Sequence, residues 1–363
     1  MTFPTSHLTS GNKFSPESKI YIAGHRGLVG SAIVRALQTE GYENLLLCTS
    51  AQLDLRNQAE VDAFFSEEKP DYVFLAAARV GGIYANETYP ADFIRDNLQI
   101  QTNVIDAGYR NGVKRFLFLG SSCIYPKLAP QPMPESCLLT DELEPTNEWY
   151  AIAKIAGIKM CQAYHKQYGF DAISVMPTNL YGPNDTFDLE RSHVLPAMMR
   201  KFHLAKLAQS GDIKAIIADE KKHGQIPADL LESLGLERTH PSIFTSQCSP
   251  KVTLWGSGAP YREFLHVDDL ASACLFLMNK ELKADSLRLF NVGVGSDITI
   301  RQLAELVQEV VGFDGDVAWD ADKPDGTPRK LMDVSLINRL GWHASTPLRQ
   351  GIEAVYRDYC AQI

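Results

Sequence analysis

The chain is predicted to be an α/β protein, a doubly wound parallel sheet joined to a smaller mixed C-terminal lobe. Three observations carry that prediction. Short apolar segments alternate with helical patterns through the first half of the chain. A glycine-rich turn directly follows the first of those segments. The alternation then loosens after residue 176 and resumes in the last third. Strands that alternate with helices imply parallel pairing, because each return to the sheet needs a crossover.

Taken in order, residues 19–23 (Lys-Ile-Tyr-Ile-Ala) read as a buried strand, followed after the turn by an amphipathic helix to Leu37. Residues 44–48 and 71–75 read as the second and third strands, and Pro90 opens a helix to about Arg110, a first-turn position that tolerates proline. A fourth strand is expected at 114–119, a helix at 148–168 and a fifth strand at 171–176. Beyond these, helices are expected at 193–209, 213–222 and 227–234, and a strand at 251–255. Asp268 and Asp269 are expected to cap a helix running to Met278, and 348–359 reads as the last helix. The expected organisation is a flexible tail at 1–18, a first domain at 19–190 and a second lobe at 191–363. Some later segments return to the first domain, and 212–250 forms a helical insertion.

Composition narrows the function classes. The 363 residues suffice for two coupled lobes sharing a cleft, and 45% apolar with 22% charged residues is ordinary for a globular chain. A net charge of −9 disfavours nucleic acid, so an anionic ligand would need local cations. No apolar run reaches membrane-span length, and residues 1–18 lack an apolar signal core. Seven cysteines lie scattered without metal-like spacing. They read as reduced thiols of a cytoplasmic protein with no metal site.

Gly24-His25-Arg26-Gly27-Leu28-Val29-Gly30 lies between the first strand and first helix. Glycine there lets the backbone turn tightly and approach a pyrophosphate at the helix N-terminus, so a Rossmann-type dinucleotide site is expected. An acid at the end of the second strand would mark NAD, but that stretch is Cys48-Thr49-Ser50. Arg26 suits a 2′-phosphate, so NADP is the expected cofactor; the alternative is a solvated surface charge. Asp54 and Leu55 read as an adenine contact or, equally, as part of a turn.

Tyr150 and Lys154, four apart, share one helix face. Bringing a phenol from its usual pKa of about 10 to neutrality requires roughly 4 kcal/mol, which a lysine ammonium in a dry cleft can supply. Ser121 and Ser122 stand at the end of the fourth strand, where open α/β sheets bind ligands. Either hydroxyl suits a reacting oxygen. Cys123 reads as a buried apolar residue or as an acid–base thiol lining the cleft. His193, at a helix start, reads as a cap, a surface group or a catalyst.

The glycine loop, the serine at the fourth strand and the Tyr150–Lys154 pair together resemble the extended short-chain dehydrogenase/reductase family. Longer strings resemble its GDP-L-fucose synthase branch: Gly120-Ser-Ser-Cys-Ile-Tyr-Pro-Lys127, Met176-Pro-Thr-Asn-Leu-Tyr-Gly-Pro183, Arg262-Glu-Phe-Leu-His-Val-Asp-Asp269 and Lys323-Pro-Asp-Gly-Thr-Pro-Arg-Lys330. That resemblance covers the chain from Lys19 onward. It implies epimerisation at C3 and C5 of GDP-4-keto-6-deoxy-D-mannose, followed by reduction of C4 with NADPH. It implies Ser121, Tyr150 and Lys154 for reduction, and Cys123 with His193 for epimerisation. It places Leu119, Gly120, Ser121, Lys154, Pro177, Thr178, Asn179, Leu180 and His193 along the cofactor, with Ser50, Asp54 and Leu55 at its adenosine end. Lys201, Trp255, Arg262, Asp325 and Lys330 fall at positions for the GDP-linked keto-sugar. A homodimer is the expected assembly.

Two features depart from the pattern. The family often carries Arg where this chain has Ser50, and the segment 212–250 exceeds the compact family length. That segment reads as a flap at the substrate mouth, a subunit contact or surface decoration. Alternative functions are a related GDP-keto-sugar enzyme of the colitose or 6-deoxy-heptose type, and a non-catalytic NADP-binding sensor.

Overall fold

A computed structural model describes residues 14–81, 86, 88–240, 243–246, 249–283, 288–323 and 325–363. In chain order the first half comprises β1 (Ile20–Ala23), α1 (Leu28–Thr39), β2 (Leu45–Leu46), α2 (Gln58–Glu68), β3 (Tyr72–Leu75), α3 (Pro90–Arg110), β4 (Arg115–Leu119), α4 (Glu148–Tyr168) and β5 (Ala172–Pro177). Then come β6 (Asn179–Tyr181), α5 (Val194–Ser210), α6 (Ile213–His223), α7 (Ala228–Ser233), β7 (Leu236–His240), β8 (Ile243–Ser246) and β9 (Lys251–Trp255). The remainder is β10 (Tyr261–Arg262), β11 (Phe264–His266), α8 (Val267–Asn279), β12 (Leu289–Val292), β13 (Ile298–Thr299), α9 (Ile300–Val311), β14 (Asp316–Asp320), β15 (Arg329–Lys330), α10 (Ser335–Leu340) and α11 (Leu348–Cys360).

Six strands form one sheet in the order β12-β5-β4-β3-β1-β2, every pairing parallel. The chain winds outward from β1 in both directions, so the switch point lies between β1 and β3, the place where such sheets bind ligands. Among the described residues the remaining strands form smaller sheets. β10 pairs antiparallel with β13 and parallel with β15, while β6 pairs with β11 and β9 with β14, both parallel. The mixed character expected of the second lobe is therefore present. The parallel sheet encloses one apolar core, which includes Ile22, Phe74, Leu117 and Val175 and which α8 rejoins through Leu270 and Leu277. A second core gathers Leu195, Phe202, Ile216, Leu254, Leu303 and Ile352.

Several elements differ from the sequence expectation. β2 spans two residues and pairs only with β1 at the sheet edge, so the ladder stops short of Cys48. α2 was not expected: its buried residues are Val61 and Phe65 alone, too few to print a helical period, and Asn57 starts it by accepting from the Ala59 amide. The cap of α8 is His266, whose Nδ1 accepts from the Asp268 amide, while Asp268 and Asp269 occupy the first turn. Asp269 instead holds Ser345 and Thr346. Phe14 packs against Tyr42, Tyr72 and Phe74, so close packing begins ahead of Lys19. Residues 1–13 of the expected tail lie outside the described residues.

The insertion is not purely helical. After α6 and α7 it carries an antiparallel hairpin, β7–β8, in keeping with the strand preference of Ile-Phe-Thr at 243–245. It is anchored by charge. Asp219 of α6 accepts from Arg200 Nε at 2.8 Å and from the Tyr359 hydroxyl of α11, with Arg200 and Asp219 both 0% exposed. Removing one member of a buried pair strands the other. Asp219→Ala is therefore expected to cost about 3–5 kcal/mol of stability, read from urea unfolding. An unchanged transition midpoint would show that the anchor contributes nothing.

Candidate active site

The glycine turn is shaped for a close ligand. Gly24 has φ 85°, and a Cβ there would sit 2.8 Å from the Ala77 backbone. A Cβ on Gly30 would lie 2.1 Å from the Gly24 carbonyl oxygen. Gly27 takes the N-cap of α1 with no side chain on the first amides, leaving N–H groups at Leu28 and Val29 open to an anion. These features fit the diphosphate of a nicotinamide dinucleotide. His25 is half-buried and its pKa is lowered by burial, then by Arg26. Arg26 is exposed, with no carboxylate partner among the described residues.

The adenosine end is less free than the sequence suggested. Asp54 is gripped by Arg56 at 2.9 and 2.8 Å, which lowers its pKa, and its amide donates to Glu60. Its carboxylate is therefore committed to a neighbour. Leu55 gives its carbonyl to Asn103, and Ser50 is exposed.

The carboxyl end of β4 forms the centre. Gly120 lies so near β5 that a Cβ would sit 2.9 Å from the Met176 sulfur. Ser121 Oγ accepts from the Cys123 amide at 3.3 Å and caps the short 3-10 turn over Ser122–Ile124. α4 brings Tyr150 and Lys154 alongside. It comes close because Gly157 has no side chain: a Cβ there would lie 2.4 Å from Phe118 Cζ. Gln101 of α3 also donates to the Ala153 carbonyl at 2.6 Å. Lys154, 3% exposed, donates to the Leu119 carbonyl at 2.7 Å and lies 4.8 Å from the Phe118 ring centre and 5.7 Å from that of Tyr150.

Electrostatics correct one expectation. Burial pushes the Tyr150 phenol up, and a charged Cys123 would push it further; it is not drawn toward neutrality by Lys154. The ammonium is itself desolvated, its pKa pushed down to about 8. Desolvation is thus the dominant influence on both groups. The Cys123 thiol is 8% exposed and raised by burial, with Lys330, Ser121 and Lys154 opposing. It faces this cluster rather than joining either apolar core.

Lys330 lies where distant segments of the chain meet. It pairs with Arg262 across β15 and β10, and its charge acts on both Cys123 and His193. His193 holds the N-cap position of α5, yet its side chain makes no cap bond. It is reachable by solvent, but the protein around it lowers its pKa, with Lys330 second. Arg262 is lowered by burial, against the pull of Asp325. Lys201 is likewise lowered by burial and donates to the Thr253 carbonyl at 3.3 Å. Trp255 is 62% exposed, not a core aromatic, and carries Lys323 5.3 Å from its ring centre. Asp325 accepts from the Ser257 amide and hydroxyl, both at 2.7 Å, so it fixes the turn after Trp255.

Pro177, Thr178, Asn179 and Leu180 run from β5 into β6 beside this cluster. Thr178 and Asn179 both donate to the Glu263 carbonyl. Glu263 was not singled out from the sequence. Its fully buried carboxylate accepts from the amides of Val294, Gly295 and Met332, tying the Arg262 strand to the residues that follow β12 and β15. Its position between Arg262 and the apolar Phe264-Leu265 was the available signal. Among the described residues no His, Cys, Asp and Glu cluster could hold a metal, and no helix is long and apolar enough to cross a membrane.

A glycine cradle at the switch point of a parallel sheet, with a tyrosine and lysine beside the carboxyl end of β4, defines a nicotinamide-dinucleotide enzyme. The chain belongs to the NAD dependent epimerase/dehydratase family, whose model matches residues 20–218 and 235–293 and skips part of the insertion. Within it, the chain is 58% identical over 346 residues to GDP-L-fucose synthase 1 of Arabidopsis thaliana, covering 95% of this chain and 94% of that one. It is 48% identical over 347 residues to GDP-L-fucose synthase of Escherichia coli (strain K12), covering 94% and 96%. Among solved structures it resembles MlghC, a GDP-mannoheptose C4 reductase from Campylobacter jejuni with NADP bound, at TM-score 0.81 and 38% identity, covering 96% and 99%.

The cradle generates a direct test. Gly30→Ala is expected to abolish dinucleotide binding, measured by the fluorescence of bound NADPH, because its methyl overlaps the Gly24 carbonyl. Unaltered binding would mean the loop does not approach the cofactor.

Proposed function

We propose that this protein epimerises C3 and C5 of GDP-4-keto-6-deoxy-D-mannose and then reduces C4, yielding GDP-L-fucose. The observation that carries the reading is the grouping of Cys123, Tyr150, Lys154 and Lys330, with His193 under the same lysine's charge.

The C4 ketone acidifies the hydrogens on C3 and C5. Cys123 and His193 serve as the acid–base pair: one takes a proton from one face of the ring, and the other returns a proton to the opposite face. The Ser121 and Tyr150 hydroxyls donate hydrogen bonds to the enolate oxygen that forms between these steps. NADPH, when bound, supplies the hydride that reaches C4. Tyr150 then gives its phenolic proton to O4, a role suited to a phenol that burial keeps protonated. Lys154 keeps the tyrosine's surroundings positive and holds the nicotinamide ribose.

NADP is the proposed dinucleotide because Arg26 is a guanidinium in the glycine loop with no carboxylate partner among the described residues. Arg262, Lys330 and Lys201 meet the GDP diphosphate, and Trp255 offers its exposed ring to the base or sugar. The protein is proposed to act as a homodimer in the cytoplasm. The described cysteines are free thiols, which suits a reducing compartment, and light scattering checks the assembly. A GDP-linked keto-heptose is the second reading, favoured by the likeness to the heptose C4 reductase.

Incubation with each GDP-keto-sugar in deuterated water, with product analysis, separates these readings. Deuterium at C3 and C5 of GDP-L-fucose is the expected outcome; a product reduced at C4 without exchange would refute epimerisation. Cys123→Ser should lower exchange by about a hundredfold or more while sparing C4 reduction of a suitably configured ketone. Tyr150→Phe should block C4 reduction and leave exchange partly intact, because Ser121 still donates to the enolate oxygen. Equal loss of exchange in both variants would contradict this division of roles.

A pH dependence also follows. Lys154 loses its proton as pH rises through about 8, so single-turnover NADPH oxidation should fall above that pH. Lys154→Arg, charged throughout, should lack that limb even where its rate is lower. A limb that persists in this variant belongs to another group.

A further inference from the structure

We propose that Lys222, on the insertion, is the second cation of the cofactor's 2′-phosphate site and sets the preference for NADP over NAD. The inference rests on the NADP reading above. A cleft of about 810 Å³ has the glycine loop on one side, through His25, Arg26 and Ser31, and the end of α6 on the other, through Lys222, His223 and Gly224. Thus the segment outside the compact family pattern faces the loop that holds the dinucleotide.

A phosphate monoester carries between about −1.5 and −2 charge at neutral pH, more than one guanidinium offsets. The end of β2 supplies no second cation: its residues are Cys48, Thr49 and Ser50. Arg56, the next cation along the chain, is committed to Asp54 and reaches Asp96 at 3.7 Å. Arg26 and Lys222 are both exposed, line the same cleft and have no carboxylate partner among the described residues. The buried Nε2 of His223, beside Lys222, also has no hydrogen-bond partner among the described residues.

The lysine is presented from a fixed wall. Arg200 donates to the carbonyls of Phe187, His223 and Gly224 as well as to Asp219, so one buried guanidinium ties the end of α6 to the loop opposite the glycines. Two acids also border the cleft. Asp188 is occupied by the amides of Glu190 and Arg191. Asp185 is pushed up to about 7 by burial, so it is only partly ionised at neutral pH.

Calorimetric titration with NADPH, NADH and 2′,5′-ADP tests the proposal on the wild type, Lys222→Ala, Lys222→Arg and Arg26→Ala. Lys222→Ala should weaken NADPH and 2′,5′-ADP about tenfold, the scale of one charge-assisted contact, and leave NADH unchanged. Lys222→Arg should restore most of the loss. Equal weakening of NADPH and NADH would place the lysine on the diphosphate and overturn the proposal, as would unchanged affinities. Failure of the NADP reading itself looks different: the wild type would bind NADH as tightly as NADPH, and Arg26→Ala would alter neither.

Discussion

The ammonium of Lys154 sits beneath the carboxyl edge of the sheet with one backbone carbonyl, that of Leu119, as its acceptor. That contact holds α4 against β4, and through them Tyr150 and the Ser121–Cys123 turn. It exists only because the helix comes close, and it comes close because position 157 has no Cβ to strike Phe118. A cation buried with so little compensation gives up part of its hold on its proton. The same dryness keeps the neighbouring phenol and thiol protonated. The centre is therefore a set of proton donors under a positive charge, which suits chemistry at a ketone oxygen.

Charge in this molecule is organised locally against its global sign. The chain carries a net −9, yet Arg262 and Lys330 stand side by side on paired strands. The fully buried carboxylate of Glu263 ties the Arg262 strand to Met332, just beyond β15, and to the amides of Val294 and Gly295 after β12, while its main-chain carbonyl accepts from Thr178 and Asn179 of the β5–β6 strip. An anionic nucleotide sugar can thus be held by an acidic protein, because cations in a desolvated cleft act more strongly than dispersed surface charge does.

Much of the first half was legible in the residues. Helices at 90–110 and 148–168 have long apolar faces and marked ends, and the buried strands are short apolar runs. The glycine turn, the serine and the Tyr-Lys spacing were legible too, since each is a local requirement of backbone or helix geometry. α2 escaped notice because it buries few residues, and the hairpin because its strands are short. Glu263 escaped because nothing near it in sequence shows that its partners come from residues 294, 295 and 332.

The residues by themselves determined the parallel α/β plan, the cradle at Gly24 to Gly30 and the pairing of Tyr150 with Lys154, all consequences of interactions within a few positions of the chain. Only the tertiary structure decided the direction of the Tyr150 shift, the commitment of Asp54 to Arg56 and the place of the insertion beside the glycine loop. Desolvation and long-range ion pairing depend on what packs around a group, and a linear sequence does not state that.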